Sequence, residues 1–184
     1  MLEKRNYKIN SQIDFGDGLI NGQGVGKISN CRYGLFSAGF NACEMIAIYN
    51  LLKRSGYEGH KFADICREMY RKTWAFWGVF GSNVYMLYAY FKKNGIPYKR
   101  FYKLNSFKED LDRTGLGILS FWNADNLFKG IHTVCVEKTD NGYRVYNKFN
   151  KLTTPKDCED FSEITLPRRF LAGYTIEKNN PQNE

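Results

Sequence analysis

The chain carries five cysteines but only two histidines, which limits the thiol chemistry available to it. A thiol becomes a nucleophile when a helix N-terminus or a neighbouring imidazole stabilises its thiolate. The odd number and wide spacing of the cysteines favour neither a disulfide framework nor a CxxC zinc or redox site. We therefore expect reduced thiols, a cytoplasmic location, and no metal or other cofactor.

Cys43 lies at the start of the clearest helical segment, residues 41–56, which reads NACEMIAIYNLLKRSG. Asn41 suits the N-cap, an acid occupies the first turn, bases occupy the last turn, and a glycine follows. Cys43 is then the second helical residue, where free N–H groups and the helix dipole lower a thiol pKa. The apolar run from Met45 to Ile48 predicts a buried central helix. A purely structural role for Cys43, as a buried thiol in the core, stays open.

His132 is the better placed of the two histidines for pairing with a thiol. His60 follows the central helix in a glycine-containing loop, where an exposed or capping role is the simpler interpretation. His132 begins a predicted strand that continues through 133–138 and turns at Asn141-Gly142 into a second strand, 143–147. This hairpin predicts that Asn147 returns to the level of His132, where its amide oxygen would hold the imidazole in the tautomer that faces a thiol.

The elements that must position these residues are predicted to be helices first and antiparallel strands second. Further helical patterns occupy residues 61–72, 82–93 and 106–111, and further strand patterns occupy residues 98–102, 117–122 and 170–176. Residues 1–40 are rich in Gly and Asn, which favours turns and extended pieces that wrap the surface over helix. We expect one α+β domain over residues 1–177 and a disordered tail at 178–184.

The order of a cysteine at a buried helix start, a histidine opening a strand and an asparagine ending the next strand resembles the papain-like cysteine peptidases. The matching pieces are residues 41–47, 131–136 and 142–147, and the likeness spans roughly residues 37 to 177. It is closest to the compact bacterial branch that contains the bacteriocin-leader peptidase domains of peptide exporters. The resemblance implies a papain-like fold, with Cys43 as nucleophile, His132 as acid–base and Asn147 as orienting residue. It also implies a peptide or amide substrate and an acyl-thioester, which either water or another acceptor resolves.

The oxyanion hole departs from the family pattern. Papain-like enzymes usually supply a Gln about six residues before the cysteine, and here that position is Ser37. The remaining candidates are Asn41, Ser37 itself and Gln23 on a looped N-terminal segment, and Asn41 is the best of them. Loss of one such donor slows acyl transfer by a factor of about a hundred or more. A catalytically silent binding module on the same fold is therefore the alternative function.

Two tryptophans, Trp77 and Trp122, lie in aromatic segments that would line a substrate cleft, although filling the core is an equal interpretation for the first. The net charge is +8, but the basic residues are scattered in twos and threes and never form a block of five or six, so we expect no nucleic acid partner. No apolar run reaches the roughly 18 residues of a membrane span. The sequence does not fix the oligomeric state.

Overall fold

The computed structural model describes residues 1–72, 82–124 and 130–179, and in this part the chain is a mixed α+β protein. Its helices are α1 (Leu2–Asn10), α2 (Ala38–Asn41), α3 (Cys43–Ser55), α4 (Phe62–Lys72), α5 (Tyr88–Lys93) and α6 (Leu104–Thr114). Its strands are β1 (Arg32–Tyr33), β2 (Phe36–Ser37), β3 (Tyr98–Phe101), β4 (Leu116–Trp122), β5 (Ile131–Thr139), β6 (Gly142–Tyr146), β7 (Lys156–Cys158) and β8 (Phe170–Ile176). Most helices precede the main sheet, whose six antiparallel strands follow the order β3-β8-β4-β5-β6-β7.

The predicted central helix is confirmed as α3, which is buried from Cys43 to Leu52 and packs on β4 and β5. It ends where Gly56 adopts φ +80°, a left-handed C-terminal cap that glycine takes without steric cost. Its N-terminus differs from the prediction, because Asn41 ends the short helix α2 and Ala42 becomes the N-cap of α3. Cys43 is therefore the first helical residue, one position earlier than expected.

The predicted hairpin is also confirmed, since β5 and β6 pair antiparallel from Thr139↔Gly142 to Cys135↔Tyr146. The strand predictions at 117–122 and 170–176 correspond to β4 and β8. Side chains alternate between the two faces of the sheet. One face packs against α3 through residues such as Ile118, Cys135 and Tyr174, and the other packs around Phe107 of α6 through residues such as Leu119, Val134 and Val136.

The prediction for residues 1–40 was wrong in part, because residues 2–10 form α1, which packs on α4. Its buried Asn6 and Asn10 donate to the backbone oxygens of Gly34 and Arg32 at 2.8 and 2.9 Å. The two asparagine side chains thus provide donors for backbone oxygens in the hairpin of β1 and β2. Asparagines in this segment therefore make long-range contacts and do not form local turns. The segment contributes to the core, since Ile28 is buried as well.

Three other boundaries differ from the predictions. The helix expected at 82–93 is a 3-10 turn (Val84–Met86) capped by Asn83 and followed by α5, and α6 is longer than the 106–111 predicted. Of the predicted disordered tail, residue Asn179 donates its N–H to Ser55 O at 2.7 Å, and residues 180–184 lie outside the described part. Among the described residues, no helix has the length and apolar character needed to cross a membrane.

A charged cluster fixes α3 against β5. Arg54, in the last turn of α3, forms a bidentate pair with the carboxylate of Glu137, whose other partner is the hydroxyl of Tyr146 at 2.6 Å. Burial raises the pKa of Glu137, but the hydrogen bonds from Arg54 and Tyr146 and the Arg54 charge outweigh it, so the pKa lies below its ordinary value. The carboxylate therefore stabilises the fold above its unfolded pKa, and this contribution is lost as the pH falls through the lower folded value.

We expect Arg54→Met to lower the free energy of unfolding by about 1–3 kcal/mol at pH 7, because it leaves a buried carboxylate short of a partner. Urea denaturation should show this loss shrinking as the pH falls below the unfolded pKa of about 4.3 and through the lower folded pKa of Glu137, because the carboxylate is then protonated in both proteins. Arg71→Met is the matched control, because its pair with Glu3 lies at the surface and should contribute under about 1 kcal/mol. A loss that is the same at pH 3 and pH 7 would contradict the electrostatic origin.

Candidate active site

The thiol of Cys43 is only 7% exposed and is surrounded by hydrogen-bonding groups. The N–H groups of Glu44 and Thr133 both donate to Sγ, and the S–H itself donates to Glu44 Oε2 at 3.4 Å. Burial raises the pKa of this thiol well above its ordinary value, the negative charge of Glu44 raises it further, and the two N–H groups oppose the rise. Cys43 is therefore a neutral thiol at pH 7.

Glu44 is buried even more completely than Cys43, with 3% of the residue exposed. It accepts hydrogen bonds from its own N–H and from the N–H of Ser82, and no cation in the described part of the chain forms an ion pair with it. Burial raises the pKa of Glu44 to about 7, because these hydrogen bonds offset only part of the desolvation. Sequence reasoning used Glu44 only as a first-turn acid, although a charged residue among apolar neighbours is a signal in itself.

His132 lies at the start of β5, where it pairs across the sheet with Phe121. Its ring meets that of Phe121 edge-on, with centroids 6.0 Å apart. Nε2 donates to the backbone oxygen of Asn147 at 2.7 Å, and since a carbonyl only accepts, Nε2 carries the proton and Nδ1 is the free base. Burial lowers the pKa of His132 to about 4, assisted by the charge of Lys148 and opposed by the Asn147 hydrogen bond.

Cys43 at the start of α3 lies against the β5 backbone near His132, but the described residues include no hydrogen bond between the two side chains. The sulfur is bound by the N–H of Thr133, the residue directly after His132. By strand alternation His132 shares a sheet face with Val134, whereas Cys135 belongs to the face that packs on α3. The structure therefore joins the two residues through the β5 backbone and does not form a direct thiol–imidazole pair.

Asn147 contacts His132 as predicted, but with its backbone oxygen in place of its side-chain amide. The pairing of β5 and β6 ends at Cys135↔Tyr146, and the chain then leaves the ladder because Asn147 adopts φ +60°. The prediction of a level side chain assumed that the ladder continued. The left-handed conformation, which Asn tolerates better than most residues, turns the carbonyl toward the imidazole instead.

The side chain of Asn147 is held by the N-terminal segment. Its Oδ1 accepts the N–H of Gln23 at 3.0 Å, its Nδ2 donates to Gln23 Oε1 at 2.9 Å, and its own N–H donates to Asn21 Oδ1 at 2.8 Å. Gln23 in turn donates through Nε2 to Gly39 O of α2 at 3.0 Å. Gln23 therefore supports Asn147 through Oε1 and uses one of the two N–H donors of Nε2 on Gly39.

Asn41, the preferred oxyanion donor, is buried and ends α2, two residues before Cys43. Ser37, the second sequence candidate for this donor, precedes α2 as its N-cap residue. The first-turn N–H groups of α3 gain no side-chain cap from the alanine at the N-cap. The sequence predicted Asn41 to be the N-cap of the helix that carries Cys43. In the structure Ala42 is that N-cap, and Asn41 belongs to the preceding helix.

Of the two tryptophans proposed to line a substrate cleft, only Trp122 lies within the described residues. Trp122 is half-buried at the end of β4, paired with Ile131, and by alternation it faces away from its neighbour Phe121. Trp77 lies outside the described residues. In the described part, no group of three or more His, Cys, Asp or Glu side chains is arranged to hold a metal ion.

A cleft of about 530 Å³ lies away from this site, between the end of α1 and the connection from α3 to α4. Its lining includes Tyr7, Asp14, Tyr49, Lys53, His60 and Asp64. His60 is tied to the hydroxyl of Tyr90 through Nδ1 at 2.8 Å. None of Cys43, His132 and Asn147 lines this cleft, so its volume is no measure of space around the thiol.

No protein-family model matches the chain, and a search of the curated proteins likewise gives no match.

We expect the imidazole of His132 to titrate with a pKa of about 4, because its neutral form is favoured by burial. With only two histidines in the chain, the ¹H–¹³C NMR signals of His60 give an internal comparison, assigned through His60→Gln. The folded pKa lies below the unfolded value of about 6.5, so the free energy of unfolding should rise with pH between these values. His132→Gln should reduce that slope. A His132 pKa above 6.5 would instead indicate an imidazolium stabilised by a thiolate.

We expect Asn147→Gly to keep the Nε2–H tautomer of His132, because the backbone oxygen that accepts this proton remains and glycine tolerates φ +60°. The ¹⁵N shifts of the ring nitrogens report the tautomer directly. Asn147→Ala, the matched control, loses the same side-chain bonds and is also strained at this φ, so it should unfold at lower urea than Asn147→Gly. Loss of the tautomer in the glycine variant would show that the side chain, not the carbonyl, orients the ring.

Proposed function

We propose that this chain is a papain-like thiol enzyme that cleaves or transfers amide-linked acyl groups, with Cys43 as nucleophile and a peptide or amide as substrate. One observation carries the proposal: the sulfur at the N-terminus of α3 accepts N–H groups from Glu44 and from Thr133, next to a histidine fixed in one tautomer. A helix carrying the thiol, packed on the antiparallel strand that carries the histidine, is the arrangement the papain-like resemblance implies.

In this mechanism Cys43 Sγ attacks the carbonyl carbon of the substrate and forms an acyl-thioester. The N–H groups that surround the sulfur stabilise the thiolate as it develops, and the first turn of α3, which has no side-chain cap from Ala42, supplies a backbone donor for the oxyanion. Asn41 is the side-chain donor in this proposal. The unprotonated Nδ1 of His132 serves as an acid–base group, and Asn147 holds that ring through its carbonyl.

A second candidate is a binding module that keeps this fold without turnover. Its specific support is the resting state of the site, in which burial and Glu44 keep the thiol protonated and burial keeps His132 neutral. A thiolate–imidazolium pair is disfavoured in that state. The two functions differ in whether Cys43 reacts with an acyl donor.

We expect p-nitrophenyl esters of N-acetylated amino acids to acylate the protein at Cys43, detected as a single added acyl group by intact mass and located by peptide mapping. Cys43→Ala should abolish the adduct, and His132→Ala should slow its turnover by about 10²-fold or more. Cys158→Ala is the matched control, because it removes another buried thiol on β7, and should react like the wild type. A wild-type protein that stays unmodified would favour the binding module.

A further inference from the structure

The group that touches the thiol directly is a carboxyl. In the described part of the chain, Cys43 S–H donates to Glu44 Oε2, whereas His132 reaches the sulfur only through the backbone of Thr133. Successive helical residues do not normally face each other. Glu44 must fold back over the helix N-terminus to make this contact.

The position of this carboxyl is costly. A buried carboxylate without a cationic partner loses most of its hydration, and two N–H donors replace only part of it. One benefit is structural, since the carboxylate complements the positive end of α3 and holds the N–H of Ser82. A glutamine would provide the same acceptor oxygen without burying a charge. The acid at this place is therefore a candidate for chemistry that an amide does not perform.

We propose that Glu44 is a catalytic residue that takes the proton of the Cys43 thiol when the nucleophile attacks. This inference rests on the proposed function and deepens it, because it assigns the first proton transfer to Glu44. His132 then remains for the later step in which water attacks the thioester.

The step balances within the site and the substrate. The S–H bond of Cys43 breaks, its proton moves to Glu44 Oε2, and the sulfur electron pair forms the S–C bond as the carbonyl π pair moves to oxygen. When the tetrahedral intermediate collapses, the C–N bond breaks and the leaving nitrogen takes the proton back from the Glu44 carboxyl. Water then hydrolyses the thioester, and the released thiolate regains a proton from that water.

The test compares wild type with Glu44→Gln at pH 8, using two probes of Cys43: alkylation by iodoacetamide and acylation by the p-nitrophenyl esters. Glutamine accepts the same N–H bonds but takes up no proton at this pH, so both rates should fall on the order of 10²-fold. Glu109→Gln, an exposed acid on α6, should leave both rates unchanged. Glu44→Asp keeps a carboxyl group but moves it away from the sulfur, since the side chain is one methylene shorter. This variant replaces Glu44→Gln in the test if the glutamine variant does not fold, and the same fall in both rates is expected.

Whether the reaction rates of Cys43 fall or rise in Glu44→Gln distinguishes a Glu44 that accepts the proton from a Glu44 that is only a nearby negative charge. Removing a negative charge that merely lies next to a thiol lowers the thiol pKa, so a bystander predicts faster reaction in Glu44→Gln. Equal or faster rates in the variant would therefore overturn the inference while the proposed function stands. Slower alkylation in the variant, with no acylation of the wild type, would support the proton transfer and reject the acyl-transfer function. A wild-type Cys43 that is inert to both probes would overturn both.

Discussion

The early end of the β5–β6 ladder is the constraint on which the site depends. β5 begins at Ile131, but its pairing with β6 reaches only to Cys135↔Tyr146. The backbone of β5 before Cys135 is therefore not covered by β6, and the N–H of Thr133 can bind the sulfur of Cys43 instead. A ladder continued by two more pairs would occupy this N–H, because buried backbone donors in a sheet are nearly always paired.

The ladder ends because Asn147 leaves it in a left-handed conformation, and every polar group of this residue then has a partner. Its N–H goes to Asn21, its side chain to Gln23 and its carbonyl to His132. Such a conformation costs on the order of 1 kcal/mol or more, and several hydrogen bonds of about that size offset it. The link from Gln23 to Gly39 extends the same network to α2, so the N-terminal segment belongs to the site as much as the hairpin does.

Sequence reasoning found the elements whose signals are local. The apolar run and terminal charges of α3, the Asn-Gly turn between β5 and β6, and the strand β8 all lie in short continuous segments. The parts it missed depend on residues far apart, such as the contact of Gln23 with Asn147 and the helix α1, whose asparagines bind a later hairpin. Asn147 contacts His132 through its backbone oxygen because the β5–β6 ladder stops before this residue. The local sequence pattern does not determine where the ladder stops.

Burial acts on the thiol, the carboxyl and the imidazole in the same direction, since it favours the neutral form of each. It raises the pKa of Cys43 and of Glu44 and lowers that of His132. Cys43 and Glu44 are in contact, so ionising one opposes ionising the other, and the pair titrates as a unit. Near neutral pH the pair carries at most one negative charge. Transfer of the proton from Cys43 to Glu44 moves that charge from the carboxylate to the sulfur, so it makes the sulfur nucleophilic without changing the total buried charge. A transfer of this kind avoids creating a separated thiolate and imidazolium in a region that burial makes unfavourable for both.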